Sequence, residues 1–428
     1  MKTVQIIPAP TDGKQWHDNP SQQQQAVAAM SAAQAYAQAV QQNIQARAAI
    51  IQYGVKRTQQ IYSNSFIPAN QTIVNVQPQN VGLITGFIVE VNGNIQSTGN
   101  TTLTRTEYGV ANVLSNITFS DLSNYIRHNC TGWHMQRINS AKQGFEWGGA
   151  YQPNVPVDVT AFNTSFTNTD AVVPNWNVRS APLTITNGNA NVREIYFVPV
   201  AYNSQDLRGA IYAAVTNATM NLQLTINPNP ATATGVDSLN SVYKGTSTAG
   251  SWNGNVTVTV YQVYYDQLPT ITQNGQTTVA LPLMDLNNQY CLLTTSLTGL
   301  LNGSDFPYPF ANFRNYMSAL AIVDNVGVFS AGSEINYVSL TSANNTNIFK
   351  YTPEISALNS RTTFMGDPPL GEYYFDFRGQ PINTNQFGNM NLNFNPNSGI
   401  SAGASLQVGV EYFAQQTQVS GAQSLAAS

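Results

Sequence analysis

The sequence predicts an all-β protein, two barrels or sandwiches in tandem preceded by one helix. Three observations carry that expectation. Three strand-like runs recur in the same order in the two halves: Gly82 to Ile95 (GLITGFIVEVNGNI) is answered by Asn315 to Phe329 (NYMSALAIVDNVGVF), Arg193 to Tyr202 by Gly371 to Ile382, and Val256 to Gln267 by Leu406 to Gln416. Each run is rich in β-branched and aromatic residues and is bounded by Gly, Asn or Pro, the chemistry of a pleated strand ending in a turn. Matched pairs in one order argue for a duplicated unit. Only one segment, near the N-terminus, has helical periodicity, and from Phe66 to Phe413 the chain reads as strands and loops.

Taken in order, residues 1 to 20 read as a flexible arm. Ser21 to about Tyr62 is made almost wholly of strong helix formers. Val27, Met30, Ala33, Ala37, Val40, Ile44, Ala48, Ile51 and Val55 fall at three- and four-residue steps and form one apolar stripe opposite a broad glutamine face. The domain plan is therefore an arm and helix over 1–65, a first β-domain with long loops over 66–267, a second over 268–413, and a small, polar C-terminal arm over 414–428. The first copy is stretched by two excursions, Asn100 to Val192 and Asn203 to Gly254. Asn-rich stretches such as Asn187 to Arg193 and Thr341 to Phe349 read as turns.

Composition points to assembly. Charged residues make up 9% of the chain, against roughly 25% in an ordinary soluble domain. A surface that does without charge suits a chain packed against copies of itself, where buried charge is costly; an Asn/Thr-rich secreted or envelope β-protein is the other reading of the same composition. The net charge of −4 gives no support to a nucleic-acid groove, which needs clustered Lys and Arg. Cys130 and Cys291 lie in different halves, so neither a disulfide framework nor a cysteine metal site is expected. The opening residues carry no apolar run of signal-peptide length, and no window approaches a membrane span of ~20 apolar residues; the expectation is a protein held in the cytoplasm until it assembles.

The charges that do occur are uneven. Lys2, Lys14, Arg47, Lys56 and Arg57 stand against Asp12 and Asp18 in the first sixty residues, leaving that segment basic and the remainder acidic. Two readings of the helix follow. Its stripe packs on the protein's own β-domains, or it lies on an anionic membrane surface with Arg47, Lys56 and Arg57 turned towards the lipid.

Catalytic patterns are missing. There is no HExxH, P-loop, GxSxG elbow or GxGxxG after a strand, and His17, His128 and His134 are too scattered for a metal site. No cofactor or metal is expected. Asp285, Asp324, Glu372 and Asp376 sit at or near strand ends, where carboxylates cap turns. His134, beside Trp133 and close to Lys142, reads as a hydrogen-bonded structural histidine.

Short runs along the chain carry a resemblance. They include Gly132-Trp133-His134 through Asn139 with Ala141-Lys142-Gln143-Gly144, Val198-Pro199 with Ala201-Tyr202, Asp206-Leu207 with Gly209-Ala210, and Asp266-Gln267-Leu268-Pro269. Further on come Leu281-Pro282-Leu283 with Asp285-Leu286, Asp324-Asn325 with Gly327 and Phe329, Ile335-Asn336-Tyr337, Tyr373-Tyr374 with Asp376, Arg378 and Pro381-Ile382, and Glu411-Tyr412-Phe413. In residue type and order they resemble the major capsid protein of tectiviruses, icosahedral bacteriophages with an internal membrane. The resemblance implies two tandem eight-stranded jelly rolls standing side by side, and a homotrimer serving as a pseudo-hexagonal tile. It further implies neighbouring capsid trimers, minor capsid and vertex proteins as partners, and an N-terminal helix that faces the viral membrane. No catalysis is implied. Two other classes are weighed against it: a surface or secreted β-sandwich adhesin that binds carbohydrate, and a trimeric porin, the latter opposed by strands such as GFIVEV that do not alternate.

Overall fold

The computed structural model describes residues 20–97, 102–106, 109–143, 181, 184–203, 205–213, 218–233, 239–245, 250–273, 276–342, 347–364, 371–384 and 388–415. Nearly all of both expected arms, and residues 144–180 of the excursion between Asn100 and Val192, lie outside the described residues.

Helix α1 (Pro20–Tyr53) opens the fold. Sixteen strands then form two jelly rolls. The first contains β1 (Val55–Phe66), β2 (Ile73–Val76), β3 (Leu83–Gln96), β4 (Leu114–Ser120), β5 (Ile126–Cys130), β6 (Asn189–Pro199), β7 (Asn221–Ile226) and β8 (Val256–Asp266). The second contains β9 (Asn288–Thr298), β10 (Phe306–Phe310), β11 (Arg314–Asp324), β12 (Ile335–Thr341), β13 (Asn347–Tyr351), β14 (Glu372–Asp376), β15 (Met390–Pro396) and β16 (Ser405–Gln415). One face of the first barrel runs β1-β8-β3-β6 and the other β2-β7-β4-β5. The second repeats this as β9-β16-β11-β14 and β10-β15-β12-β13. These are the double jelly rolls expected from the sequence. The three repeats seen there are the pairs β3/β11, β6/β14 and β8/β16.

The duplication reaches single residues. In β3 the pairing to β8 skips Thr85, and in β11 the pairing to β16 skips Met317. In β5 the pairing to β4 skips Arg127, and in β13 the pairing to β12 skips Ile348. A bulge re-aims a strand and is a placed feature of a sheet, so bulges at matching positions define residue-for-residue equivalence between the barrels.

Helices also repeat. α2 (Gly132–Gln143) follows β5 after the single residue Thr131, and α4 (Pro353–Phe364) follows β13 after Thr352; both are 12 residues long. The one-turn α3 (Leu283–Leu286) precedes β9. The expectation of strands and loops alone from Phe66 to Phe413 missed α2 and α4.

Two boundaries differ from expectation. The helix was expected to run to Tyr62 and the first β-domain to begin at Phe66. Instead α1 stops at Tyr53, where the Gly54 N–H donates to Ile50 O (2.8 Å), and a Cβ on Gly54 would stand 2.5 Å from that oxygen. Residues 55–66 then pair along β8. KRTQQIY has helix-forming residues, but a full ladder to Val256–Asp266 outweighs local preference, which is worth only tenths of a kcal/mol per residue. Asn187 to Arg193 is a bend only at its start, where Asn187 has φ of 49°; from Asn189 it is strand β6.

Each barrel has its own core. Phe87, Val89, Ile117, Phe119, Leu222, Leu224 and Val258 fill the first, and Ala321, Val338, Leu392, Phe394, Val408 and Tyr412 the second, all with no exposed surface. Burying a side chain of this kind contributes roughly 1.5–3 kcal/mol. The first core does not stop at its barrel: Leu320, Ile322, Tyr374 and Phe413, on the outer face of the second barrel's β9-β16-β11-β14 sheet, belong to it.

Candidate functional site: the seam between the barrels

That outer face leads to the seam joining the barrels. β5 of the first barrel runs parallel to β9 of the second, with His128 opposite Leu292 and Asn129 opposite Leu293, so that sheets from both barrels fuse into one nine-stranded sheet. His128 fixes the junction. Its Nε2–H donates to Pro199 O (2.5 Å) and its Nδ1 accepts from the Leu292 N–H (3.2 Å). Accepting at Nδ1 requires the neutral ring, and full burial pushes its pKa down to about 3.

α2 wedges into the same seam. Thr131 caps it, its hydroxyl accepting from the His134 N–H at 3.3 Å. Gly132 is required by close approach, since a Cβ there would meet Ala111 O at 2.2 Å. From α2, Gln136 donates to Glu194 and to Ile195 O in β6, and Asn139 donates to Phe197 O (2.7 Å). Other side chains reach the second barrel. His134 stacks on Trp133, its Nε2–H donates to Leu320 O (3.3 Å), and it lies where any Cβ on Gly409 would fall, 2.0 Å from the ring. Arg137 binds Glu372 through two nitrogens (3.2 and 2.5 Å) and stacks on Phe364 of α4. Lys142 donates to the Tyr290 hydroxyl (2.8 Å) and pairs with Glu411 (3.4 Å), which also accepts from Tyr290 and Ser318. Burial pulls the Lys142 ammonium down in pKa and Glu411 pushes it back up.

The run Gly132 to Gln143, among those that carry the family resemblance, is therefore the keystone between barrels. His134 is structural, as read. The partners of the α2 cations were missed: Glu372 and Glu411 are wholly buried counter-charges. Of the strand-end carboxylates, Asp324 caps a turn through the Gly327 N–H (2.6 Å) and Asp376 binds Arg378, while Asp285 does something else.

Asp285 anchors α1. Asn43 Oδ1 accepts from the Met284 (2.9 Å) and Asp285 (3.4 Å) N–H groups, Arg47 pairs with Asp285 (3.3 Å) and Asp206 (4.0 Å), and Ile50 packs with Leu83, Leu207 and Tyr265. The three sequence-predicted basic residues thus separate. Arg47 faces its own chain. Lys56 and Arg57 lie on β1, not on the helix; both are exposed, and Arg57 pairs with Asp266 (2.8 Å). Where its side chains are described, the expected apolar stripe is not what packs: Ile44 and Ile51 are 42% and 37% exposed, and Tyr36 and Tyr53 more so. Asn43, Arg47 and Ile50 form the packed face, one residue out of step with that stripe. Polar residues on it hid it from a hydrophobicity pattern.

Among the described residues no cluster of His, Cys, Asp or Glu could hold a metal ion, and no helix is long and apolar enough to cross a membrane. The chemistry of the site is cohesion.

Comparison with known proteins agrees with this architecture. Residues 21–268 match the model for the N-terminal domain of the P3 major capsid protein, and residues 287–427 match that for its C-terminal domain. The chain is 35% identical to major capsid protein P3 of Enterobacteria phage PRD1 over 403 residues, 93% of this chain and 98% of that one. Among solved structures, the STIV MCP has the same fold at TM-score 0.58 and 9% identity, over 85% of this chain and 98% of that one. A chain from the atomic structure of Sulfolobus Turreted Icosahedral Virus gives 0.57 and 11%, over 87% and 96%. Matched by this family in both halves, and built as its fold requires, the chain belongs to the phage P3 major capsid proteins.

Proposed function

We propose that three copies of this chain form a pseudo-hexagonal tile of a phage capsid whose shell encloses a membrane, and that the protein performs no catalysis. As a phage major capsid protein it assembles with other capsid subunits in the virion, and the trimer is the specific form that this assembly takes in the proposal. The observation that carries it is the duplication. Two barrels equivalent residue for residue stand side by side in one chain, so three chains supply six near-equal blocks, which fill a hexagonal position with threefold symmetry. Tiles would form in the host cytoplasm and meet neighbouring trimers, minor capsid proteins and vertex proteins on the growing shell. No direct contact with nucleic acid is expected.

α1 supports a membrane-side role for one edge of the tile. Its anchored face is Asn43, Arg47 and Ile50, while Tyr36, Ile44, Ile51 and Tyr53 remain exposed. This face suits the interfacial zone of a bilayer, along which such a helix lies without crossing. Lys56 and Arg57, next to the helix end, would add attraction to anionic headgroups of about 1 kcal/mol each.

Native mass spectrometry in detergent-free buffer tests the tile: the expected species is close to three times 46.4 kDa, and a stable monomer would overturn it. Ile44→Asp, Ile51→Asp and Tyr53→Asp combined in one chain test the helix, because they remove its exposed apolar face and spare the Asn43, Arg47 and Ile50 anchor and all of β1. Trimers should persist and binding to anionic vesicles should be lost; unchanged vesicle binding would refute the membrane role.

A further inference from the structure

Inside the chain, the strand following β4 in the first barrel (β5) pairs with the first strand of the second (β9). The equivalent strands at the other ends, β13 and β1, have one neighbour each among the described residues: β12 for β13 and β8 for β1. Among the described residues, two of the molecule's open strand edges are thus the equivalents of the two partners in the seam it has already made once. Open edges of this length invite another strand.

We infer that the contact between successive copies repeats the internal seam in register: β13 of one copy adds, parallel, to β1 of the next, and α4 closes over the outer face of that next copy's first barrel. The inference rests on the trimer reading above and specifies its interface. The matching bulges fix the register. Phe349 stands where His128 does, directly after the skipped residue and opposite Leu340 as His128 is opposite Phe119. Thr58 stands where Leu292 does, because Thr58 pairs with Val263 and Leu292 with Glu411, the last partners before the bulges of β3 and β11. His128 opposite Leu292 thus becomes Phe349 opposite Thr58, and Asn129 opposite Leu293 becomes Lys350 opposite Gln59. Asn347, Ile348 and Lys350 are exposed, as are the residues from Val55 to Gln60.

A separate observation comes from the helices. In α2, His134 and Arg137 reach the second barrel. Their equivalents in α4 are Ile355 and Leu358, apolar yet 45% and 55% exposed. The surfaces they would meet change with them. Glu372, the partner of Arg137, is replaced in the first barrel by Ile195; Gly409, over which His134 lies, is replaced by Tyr261. An ion pair in the internal seam corresponds to an aliphatic pair between copies, and a large ring on a glycine corresponds to a smaller side chain on a large ring. Ile88, Ile195 and Tyr261 are half-buried in the single chain. Both members of each pair have changed together, as required if they meet.

Paired cysteines test the register. Gln59→Cys with Lys350→Cys, in the full chain with its buried Cys130 and Cys291 left in place, should give covalent trimers on a non-reducing denaturing gel after mild copper-phenanthroline oxidation. Mass spectrometry should find a disulfide-linked peptide joining positions 59 and 350. A variant at the exposed helix face tests the contact: Leu358→Arg should shift the native mass from trimer to folded monomer, and adding Ile195→Glu should restore the trimer by rebuilding the internal ion pair between copies. Trimers that neither cross-link at 59–350 nor respond to Leu358→Arg overturn the inference and leave the tile standing. If the unaltered protein forms no trimer, the tile itself is wrong.

Discussion

Helices α2 and α4 have the same length, the same threonine ahead of them and the same place between matched strands, yet opposite surroundings. α2 is sunk into the seam and carries His134, Gln136, Arg137, Asn139 and Lys142, their side chains all buried and all hydrogen-bonded. α4 shows Ile355 and Leu358 to solvent. Identical topology therefore does not decide composition; what covers the helix does. A seam within one chain forms between segments already tethered, so it can include buried charges whose net stabilisation is small and whose geometry admits only one alignment. A seam between separate copies has to offset lost translational freedom, and apolar contact does that more readily.

The largest expected effect tests whether the barrels are independent cores of equal standing. Val89 and Ala321 are equivalent and wholly buried. Val89→Asp and Ala321→Asp should each leave no folded protein, because an unpaired buried charge costs several kcal/mol against a total stability of about 5–15 kcal/mol. Ile88→Asp, one residue away on the half-buried face, should fold. Circular dichroism on soluble fractions reads all three, and a folded Ala321→Asp would mean that the second core tolerates what the first does not.

Next in size is the α2 ion pair. Glu372→Gln leaves the Arg137 guanidinium buried without its counter-charge and should lower stability by about 3–5 kcal/mol. Arg137→Met combined with Glu372→Leu should recover most of that, having turned the internal seam into the aliphatic kind inferred between copies. Denaturant midpoints measure both. A double variant as unstable as the single one would show that the pair contributes more than alignment.

Acid should separate the two kinds of seam. His128 and His134 are held neutral, each with pKa pushed by burial from 6.5 down to about 3. The unfolded chain takes up protons below about 6.5 while the native seam does not. Stability is thus fully present above that pH and is lost as pH falls towards 3, by about 1.4 kcal/mol per pH unit for each histidine. The equivalent residues, Phe349 and Ile355, do not titrate. His128→Gln, which keeps one donor and one acceptor, should flatten the acid slope of the melting temperature; an unchanged slope would place the acid sensitivity elsewhere.

Much of this could be seen beforehand. The long strands β3, β8, β11 and β16 were legible because their apolar runs exceed any turn, and they revealed the repeat. β1 was hidden because residues 55–66 hold few apolar side chains and alternate nothing: an edge strand lying mostly in solvent has no hydrophobic pattern to show. α2 was hidden for the opposite reason. A helix buried on nearly every side, with polar groups satisfied by backbone carbonyls and counter-charges from residues far along the chain, has no stripe. The repeated C-T before Gly132 and Y-T before Pro353 was a cap signal at matched places, and reading it would have located both helices. Glu372 and Glu411 were unreadable as counter-charges, since only folding brings them to Arg137 and Lys142.

The smallest effects belong to the basic residues at the N-terminal end of the fold, and they separate by burial. Asp285 is largely buried and its carboxyl is raised in pKa by desolvation, with Asn43 and Arg47 opposing. Arg47→Ala should therefore loosen α1 while sparing both barrels, seen as faster proteolysis near residue 47 with the melting temperature nearly unchanged. Arg57 and Asp266 are 49% and 41% exposed, and exposed pairs contribute about 0–1 kcal/mol. Arg57→Ala should change stability by less than about 0.5 kcal/mol. If Arg57→Ala instead weakened trimers measurably at high salt, where exposed pairs are screened, the residue would be acting at a covered interface. The open edge of β1 is where the next copy is inferred to bind, so the weakest internal ion pair becomes a sensitive reporter of whether that edge is occupied.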